Sequence, residues 1–409
     1  MGTSVATSML TVKAVEFEEE LRLASTLMAQ THADETAFSP AWFQTNGAAY
    51  PESDRGHTRI VVCNGEVAGA LRITEGTIRL GEARLRAGGL GWVATSPRYG
   101  RRGIQTILMQ DAQRYMKRRG YHVSILFGVI DVFASSGYAP ALDEHVIEQD
   151  ACEPPLALNR HLRVRSVKPG DIGALQKIYT ENTCDVACSL LRTRAHFANK
   201  WERFKSARVI TNSKGMLQAY VLARPGTSCL QVEEVGIATP AFVPDVYALC
   251  ASMARERCLS KVRYSIPADH PFSRHFPRYE TGDRASRQTG VAGMMAFVDI
   301  GEALENTIPE WESLLLRSAL RDAQCEVTFV VDRDHYRVRA HRGAIDVARV
   351  SGKNKFSVRE ADFMQLLTGY TALDELYARQ RRMVSADAHD LLRVLFPKRN
   401  PYIAPFDRF

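Results

Sequence analysis

Residues 98–103 of the chain read Arg-Tyr-Gly-Arg-Arg-Gly and hold three arginines and two glycines in six positions. The side chains of Arg98, Arg101 and Arg102 repel one another, so we expect an anion to hold the segment together. Gly100 and Gly103 allow the backbone to approach that anion closely. This combination of positive charge and glycine indicates a binding site for a phosphate group.

The charged segment lies between an apolar strand and a helix. The preceding residues 90–95 form a short apolar run, and the apolar residues Ile104, Ile107, Leu108 and Tyr115 that follow have helical spacing. The first N–H groups of a helix have no internal partners, and the aligned peptide dipoles place partial positive charge there. This order of elements predicts a pyrophosphate site. The alternative is a basic turn that is only solvated.

The chain also contains an internal repeat. Residues 10–28 resemble residues 162–180, and each segment reads as a strand, a polar break and a helix. Residues 59–73 resemble residues 208–222, and each reads as a hairpin around an Asn/Gly turn. The offsets of 152 and 149 positions are nearly equal, so the order and spacing of the elements are kept.

A third match shows where the two copies differ. Residues 88–120 correspond to residues 233–258, and both hold an apolar strand, an Ala-Thr pair, a proline and a long helix, but only the first copy has the Arg/Gly turn. We therefore predict a first domain at 1–158, a second and degenerate copy at 159–290, and a domain of antiparallel strands and helices at 291–409.

Length and composition describe a soluble globular protein of several domains. The chain has 409 residues, of which 45% are hydrophobic and 24% charged. It has neither an apolar run that could cross a membrane nor a secretory signal, so we expect a cytoplasmic protein that binds no membrane. The net charge of +7 comes without a nucleic-acid-binding motif, and the eight cysteines lack zinc-site spacing. We predict no nucleic-acid partner and no metal.

Residues 93–109 (VATSPRYGRRGIQTILM) resemble the cofactor-binding motif of the GNAT acetyltransferase superfamily. The resemblance implies acetyl-CoA as a co-substrate, with its pantetheine arm along the strand and its pyrophosphate at the loop. The residues implied are Val93, Ala94 and Thr95 for the pantetheine, and Arg101, Arg102, Gly103, Ile104, Gln105 and Thr106 for the phosphates. The sequence departs from the family pattern at Gly100, where Arg or Gln is usual, and at Gln105, where Gly or Ala is usual.

The whole chain resembles the enhanced-intracellular-survival (Eis) acetyltransferase family. The segments FASSGY, MMAFVDI, FMQLLTGY and LFPKRNPYIAPFDRF fall where that family has similar stretches. The resemblance implies an α/β (α+β) fold with two tandem GNAT-like domains, the second degenerate, and a C-terminal α+β domain like a sterol carrier protein. It also implies acetyl transfer to an amine and assembly as a homohexamer.

The resemblance further implies which groups move protons. The family's base is the C-terminal carboxylate, here that of Phe409, and the apolar tail fits a buried end; alternatively the tail only seals a domain interface. The family's general acid is a tyrosine four residues before the glycine that corresponds to Gly137, where this chain has Phe133. Tyr138 is another candidate, although it also fits a core aromatic.

The function that we expect is acetyl-CoA-dependent N-acetylation of a primary amine on a small molecule or peptide. Because phenylalanine has no proton to donate, two alternatives stay open. One is a catalytically impaired protein that binds acyl-CoA and acts as a regulator. The other is a different acyl-CoA reaction on the same scaffold.

Overall fold

The computed structural model describes residues 10–32, 52–100, 102–151, 158–276, 291–380 and 384–409. The strands, in chain order, are β1 (Leu10–Ala14), β2 (Thr58–Cys63), β3 (Glu66–Leu80), β4 (Ala83–Thr95), β5 (Val123–Val129), β6 (Ala139–Leu142), β7 (Ile147–Asp150), β8 (Arg163–Ser166), β9 (Arg208–Thr211), β10 (Leu217–Pro225), β11 (Cys229–Ile237), β12 (Lys261–Tyr264), β13 (Val291–Phe297), β14 (Gln324–Val331), β15 (Asp334–His341), β16 (Ala344–Ala348) and β17 (Lys355–Ser357). The helices are α1 (Glu18–Thr31), α2 (Ile104–Arg118), α3 (Ile130–Phe133), α4 (Ile172–Asn182), α5 (Arg194–Asn199), α6 (Trp201–Phe204), α7 (Val243–Arg255), α8 (Pro271–His275), α9 (Ile300–Glu305), α10 (Ile308–Leu316), α11 (Glu360–Thr368), α12 (Leu373–Gln380) and α13 (Ala386–Leu395). Across these described ranges, no helix combines the length and the apolar character that crossing a bilayer requires.

The first sheet has the strand order β1-β2-β3-β4-β5-β13-β6. Its strands β1 to β4 are antiparallel neighbours, whereas β5 lies parallel to β4. The hairpin predicted at residues 59–73 is present as β2 and β3, joined at Asn64 and Gly65, whose φ angles are 51° and 83°. The predicted helix after the Arg/Gly turn is α2, and it packs on one face of this sheet through Ile104, Leu108 and Met116.

The second sheet repeats the first. Read from β8, its order is β8-β9-β10-β11-β12-β7. Its first four strands are again antiparallel neighbours, and β12 is again parallel to β11. Helix α4 follows β8 as α1 follows β1, and α7 follows β11 as α2 follows β4. The predicted repeat and the mixed α/β fold class are therefore confirmed.

Two strands cross the predicted domain boundaries. β7 precedes the boundary at residue 158, yet it pairs with β12 of the second sheet. β13 follows the boundary at residue 290, yet it pairs with β5 and β6 of the first sheet. The predicted boundaries are wrong for these strands. The reason is physical, because alternating apolar residues mark a strand without identifying the sheet that it joins.

The C-terminal part has its own sheet, in the order β16-β15-β14-β17. Phe329 of β14 stacks on Phe363 of α11 with ring centroids 4.5 Å apart. Helix α11 is followed by Gly369, whose φ of 75° is the left-handed conformation that commonly ends a helix. The core of this part is continuous with one face of the first sheet, since Ile78 and Trp311 belong to the same buried cluster. Its likeness to a sterol carrier protein stays a prediction.

The last residues of the chain are buried, as their apolar character predicts. Tyr402, Ile403, Phe406 and Asp407 are at most 2% exposed. The N–H of Tyr402 donates to the carbonyl oxygen of Ala187 at 2.8 Å. Phe406 joins the buried cluster of Val209 and Tyr220, so the tail packs against the second sheet before the chain ends.

Candidate active site

A wedge-shaped gap opens between β4 and β5. Their parallel pairing joins residues 87–90 to residues 123–126 and stops there, although β4 continues to Thr95 and β5 to Val129. Among the described residues, no strand pairs with β4 on its β5 side beyond Leu90. Backbone N–H and C=O groups bind other polar groups where the ladder ends. This edge of β4 is therefore suited to an extended ligand.

A β-bulge at Trp92 shapes the gap. Trp92 has a φ of 58°. The pairing of β4 with β3 shifts at this point, from Gly91 opposite Arg72 to Ala94 opposite Ala70. A bulge bends its strand and increases the local twist. The bulge therefore turns the end of β4 away from β5 where their pairing has already ended.

The strand residues predicted to contact the pantetheine follow the bulge directly. Val93 and Thr95 are half-buried, whereas Ala94 is fully buried. The carbonyl oxygen of Val93 lies 3.3 Å from Nε2 of His32, the residue after α1. His32 therefore lines the site beside Val93, and sequence interpretation missed it because a single histidine at a helix end carries no motif.

The predicted phosphate-binding turn leads into α2. Gly103 has a φ of 69° and precedes the first residue of the helix. Glycine adopts this left-handed conformation without strain. Ile104 is 2% exposed and packs against Gly69, where a Cβ would lie 2.5 Å from its Cγ2. Gln105 is half-buried and Thr106 is exposed, so this first turn offers unpaired N–H groups at an accessible helix start.

The arginines of the turn have different surroundings. Arg98 pairs with Glu66 at 3.0 Å, and the hydroxyl of Tyr99 donates to the same carboxylate at 2.7 Å. The hydrogen bond from Tyr99 and the charge of Arg98 lower the pKa of Glu66. Arg102 is exposed, with its guanidinium 5.7 Å from the Tyr99 ring centre, and Arg101 lies outside the described residues. The anion expected beside Arg98 is thus supplied by the chain itself, and Arg102 places its charge beside the start of α2.

The chain ends against the strand that borders the gap. The ring of Phe409 covers Gly89, where a Cβ would lie 2.2 Å from its Cδ1. The carboxyl carbon of Phe409 lies against Gly91, where a Cβ would be 2.8 Å away. Sequence interpretation missed both glycines, although glycine inside a strand is a signal that another backbone approaches closely. The end of the chain thus lies against β4 beside the gap, and the role of the Phe409 carboxylate as a base stays a prediction.

Phe133 lies on the other side of the gap. It is half-buried at the end of α3, and its ring covers Gly128 of β5, where a Cβ would be 2.8 Å from its Cε2. The position that the family resemblance assigns to a proton donor therefore holds an apolar ring beside the strand edge.

Tyr138 lies in the core. It is 2% exposed, and its hydroxyl is 2.6 Å from Oγ of Ser124, which donates to the carbonyl oxygen of Gly88 at 3.0 Å. Burial raises the pKa of Tyr138. This environment favours the packing interpretation of Tyr138 over the catalytic one.

The second sheet has a corresponding gap, but side chains of the chain itself occupy its edge. The pairing of β11 with β12 ends at Val232 opposite Tyr264, and β11 continues to Ile237. Ile237 corresponds to Val93 in the repeat. Its N–H donates to Oδ1 of Asn182 at 2.8 Å, and its carbonyl accepts from Nδ2 of Asn182 at 2.9 Å. Asn182 therefore occupies peptide groups that a second ligand would need.

Comparisons with known proteins agree with this geometry. Residues 11–141 match the family model described as an acetyltransferase (GNAT) domain. The fold is similar to that of GCN5-related N-acetyltransferases from Kribbella flavida (17% identity, TM-score 0.75, 100% of both chains) and Anabaena variabilis (15% identity, TM-score 0.76, 98% of this chain and 100% of that one). It is also similar to Eis1 from Mycobacterium abscessus (15% identity, TM-score 0.65, 98% of this chain and 100% of that one). None of the curated proteins matches the sequence.

Identities this low show a shared fold and nothing finer, so the predicted likeness to Eis proteins is supported at the level of the fold. The family match is more specific, because it covers the gap, the bulge and the Arg/Gly turn. Residues 11–141 are therefore a GNAT acetyltransferase domain, which confirms the acyltransferase class predicted from the turn.

Proposed function

We propose that this protein transfers the acetyl group of acetyl-CoA to a primary amine of a small molecule or peptide. The observation that carries the proposal is the juxtaposition at Gly91. There the gap between β4 and β5 begins, and there the carboxyl carbon of Phe409 lies against the strand. A carboxylate next to an open strand edge in an acetyltransferase domain combines a proton acceptor with a binding site for an extended thioester.

The residues of the gap fit acetyl-CoA. The peptide groups of Val93, Ala94 and Thr95 would hold the pantetheine arm along β4. The turn would hold the pyrophosphate through Gly103 and the first N–H groups of α2, with Arg101 and Arg102 adding charge. Acetyl-CoA supplies the acetyl group as a thioester. An N–H of the strand near Val93 would stabilise the thioester oxygen as it gains negative charge.

The proton of the amine must be removed before or during its attack. The Phe409 carboxylate is the group that we assign to this step. An α-carboxyl has an ordinary pKa of about 3.5, so it accepts a proton only if its surroundings raise that value or a water molecule relays the proton. Phe409 is half-buried, with its own ring against β4, and this partial removal from water supports the assignment.

The charge next to the carboxylate restricts the acceptor. Arg408 precedes Phe409, pairs with Glu144 at 2.6 Å and stacks on Phe127 at 4.5 Å. Arg408 adds a positive charge one residue before the terminus, and Glu144 neutralises part of it, so this end of the chain carries no excess of negative charge that would attract a polycation. We therefore propose an acceptor with one reactive amine rather than a polycation.

One observation favours the second candidate function, an acyl-CoA-binding regulator. Phe133 occupies the place where the family resemblance puts the general acid, and a phenyl ring cannot protonate the leaving thiolate. Phe133→Tyr restores a proton donor at the same position. We expect this variant to keep its fold and to raise transfer to simple amines. Lower activity would indicate that the pocket is shaped for an apolar ring and another reaction.

The test of the main proposal is turnover of acetyl-CoA with a panel of primary amines, followed as release of the free thiol. Calorimetry with CoA measures binding in parallel. Binding with amine-dependent turnover supports the transferase, whereas binding without any turnover supports the regulator. A short extension after Phe409 should reduce turnover by about 10²-fold or more while CoA affinity hardly changes, since a positioned base contributes about 10²–10⁴-fold. An extension of equal length at the N-terminus is the control.

The proposal also covers the assembly of the protein, its C-terminal domain and its location. The shared fold with Eis1 from Mycobacterium abscessus supports an Eis-like homohexamer with a sterol-carrier-like C-terminal domain, acting in the cytoplasm. Light scattering of the purified protein measures the assembly, and a monomer in solution would contradict this part.

A further inference from the structure

The tail of the chain is anchored two residues before its end. Phe406 is fully buried and packs edge-on against Phe204 at 5.3 Å between ring centroids. Asp407 follows it and is 1% exposed. Only Arg408 and Phe409 separate this buried carboxylate from the terminal carboxylate at Gly91. A short, fixed connection of this kind transmits any movement of Asp407 to the chain end.

Asp407 pairs with a buried arginine. Arg192 is fully buried, and its Nε and Nη2 donate to Asp407 at 3.0 Å and 2.8 Å. Its Nη1 donates to Oε1 of Glu234 at 2.8 Å, and the hydroxyl of Tyr220 donates to the same oxygen at 2.8 Å. One guanidinium thus holds two carboxylates, one from β11 and one from the tail. Forked contacts from arginine fix both distance and orientation.

Two more basic groups border the same carboxylate. His196 Nε2 lies 3.2 Å from Oδ1 of Asp407, and Lys200 Nζ lies 3.9 Å from it. Burial raises the pKa of Asp407, but the charge of Arg192 and the hydrogen bond to His196 outweigh it, and the pKa falls. Asp407 is therefore held as an anion inside the protein.

The anchor comes from the second copy of the repeat, whereas the terminal carboxylate lies on the first sheet. Arg192 and Glu234 come from the degenerate copy, and Tyr402 and Ala404 of the tail line the cavity beside Glu234 in the gap of that copy. The second copy lacks the Arg/Gly turn, but it contributes to the reaction if it determines the position of the Phe409 carboxylate.

We infer that Arg192 is a positioning residue for acyl transfer, which acts by fixing Asp407 and thereby holding the Phe409 carboxylate against Gly91. The inference rests on the proposed function, because it takes that carboxylate as the base. It assigns a role to the second, degenerate copy, which would hold the Phe409 carboxylate in position beside the thioester bound by the first copy.

The central variant is Asp407→Asn, which removes the charge with little change in shape and leaves Arg192 paired with Glu234. Arg192→Lys is the second variant, because lysine keeps the buried charge but loses the fork. The matched control is Arg165→Gln, which breaks an ion pair with Asp171 (2.7 Å) elsewhere in the same copy. Circular dichroism establishes that each protein is folded.

The first measurement follows the chain end directly and requires no amine. Carboxypeptidase removes residues from an accessible C-terminus, and Phe409 is held against β4 in the native chain. We expect digestion to accelerate at least about tenfold in Asp407→Asn and Arg192→Lys and to stay unchanged in Arg165→Gln. Equal rates in the native protein and both tail variants would overturn the inference.

The second measurement separates positioning from general structural damage. With the most active amine of the panel, Asp407→Asn should lower kcat by about 10²-fold, the cost of a displacement of about 1 Å, while the KM for acetyl-CoA and the affinity for CoA stay within twofold. Added formate should restore part of the lost turnover, because a free carboxylate replaces the displaced one. Equal losses in kcat and CoA affinity without rescue would overturn the inference.

The extension after Phe409 distinguishes the failure of this inference from the failure of the proposed function. If the extension leaves turnover intact, or if no amine is acetylated, the carboxylate is not the base and both fall. If the extension abolishes turnover but the folded Asp407→Asn protein keeps its full kcat, only the positioning role of Arg192 falls.

Discussion

Replacing Gly91 with alanine places a methyl group against the end of the chain. The new Cβ would lie 2.8 Å from the carboxyl carbon of Phe409 and 3.1 Å from its oxygen. Ordinary contact needs about 3.4 Å or more, so the carboxylate has to withdraw by about 0.6 Å. Gly91 has no positive φ, and alanine therefore strains no backbone angle. The substitution moves the proposed base and little else.

The expected result is a loss in kcat of about tenfold to a hundredfold. A displacement of about 1 Å costs about 10²-fold, and sites tolerate about 0.5 Å. The methyl group points perpendicular to the sheet, towards Phe409, whereas the gap opens in the plane of the sheet. The affinity for CoA, measured by calorimetry, should therefore be unchanged. Thermal unfolding reports the cost of the added methyl group, about 1–3 kcal/mol for overpacking.

A matched control is Gly173→Ala in α4, where an added Cβ meets nothing within 4 Å. Gly173 is the second residue of α4, so alanine should stabilise by less than the about 0.5–1 kcal/mol expected in a helix interior, and the variant should be fully active. The reasoning is refuted if Gly91→Ala keeps full turnover with Phe409 displaced in its structure. It is also refuted if CoA affinity falls as much as kcat.

The remaining predictions concern the turn, the second gap and the tail. Arg101→Ala combined with Arg102→Ala should weaken CoA binding at low salt without unfolding the protein, since each charge-assisted hydrogen bond contributes about 1.5–3 kcal/mol. An unchanged CoA affinity by calorimetry would show that the turn does not bind the phosphates of CoA. The same titration of the native chain should give one CoA per chain, because Asn182 occupies the second strand edge; two equal sites would contradict this. The pKa of Asp407 is lower in the folded protein than its ordinary value of 3.8. The ionised Asp407 therefore stabilises the fold at pH values above 3.8, and this stabilisation is progressively lost as the pH falls below 3.8. Asp407→Asn should therefore lose about 1 kcal/mol less stability than the native protein between pH 5 and pH 3, measured by denaturant unfolding, and equal losses would contradict the pairing.

Local patterns in the sequence were sufficient to predict several elements. The turn at Gly103 and the helix from Ile104 follow from glycine conformation and helical spacing, which depend on neighbouring residues only. The hairpin at Asn64 follows from turn chemistry in the same way. The repeat was visible because two copies of one fold keep the same order of such local signals. The burial of the tail near Phe406 followed from its apolar composition.

Contacts between distant residues were decided only by the tertiary structure. Sequence alternation identified β7 and β13 as strands, but the sheets that they join depend on which edges are open in the folded chain. The place of the Phe409 carboxylate depends on two strand glycines more than 300 positions earlier. The pairing of Arg192 with Asp407 joins residues 215 positions apart, and no local pattern connects them. A sequence therefore determines its elements through short-range preferences, whereas the site of this protein arises from close approaches that exist only once both sheets and the tail are packed together.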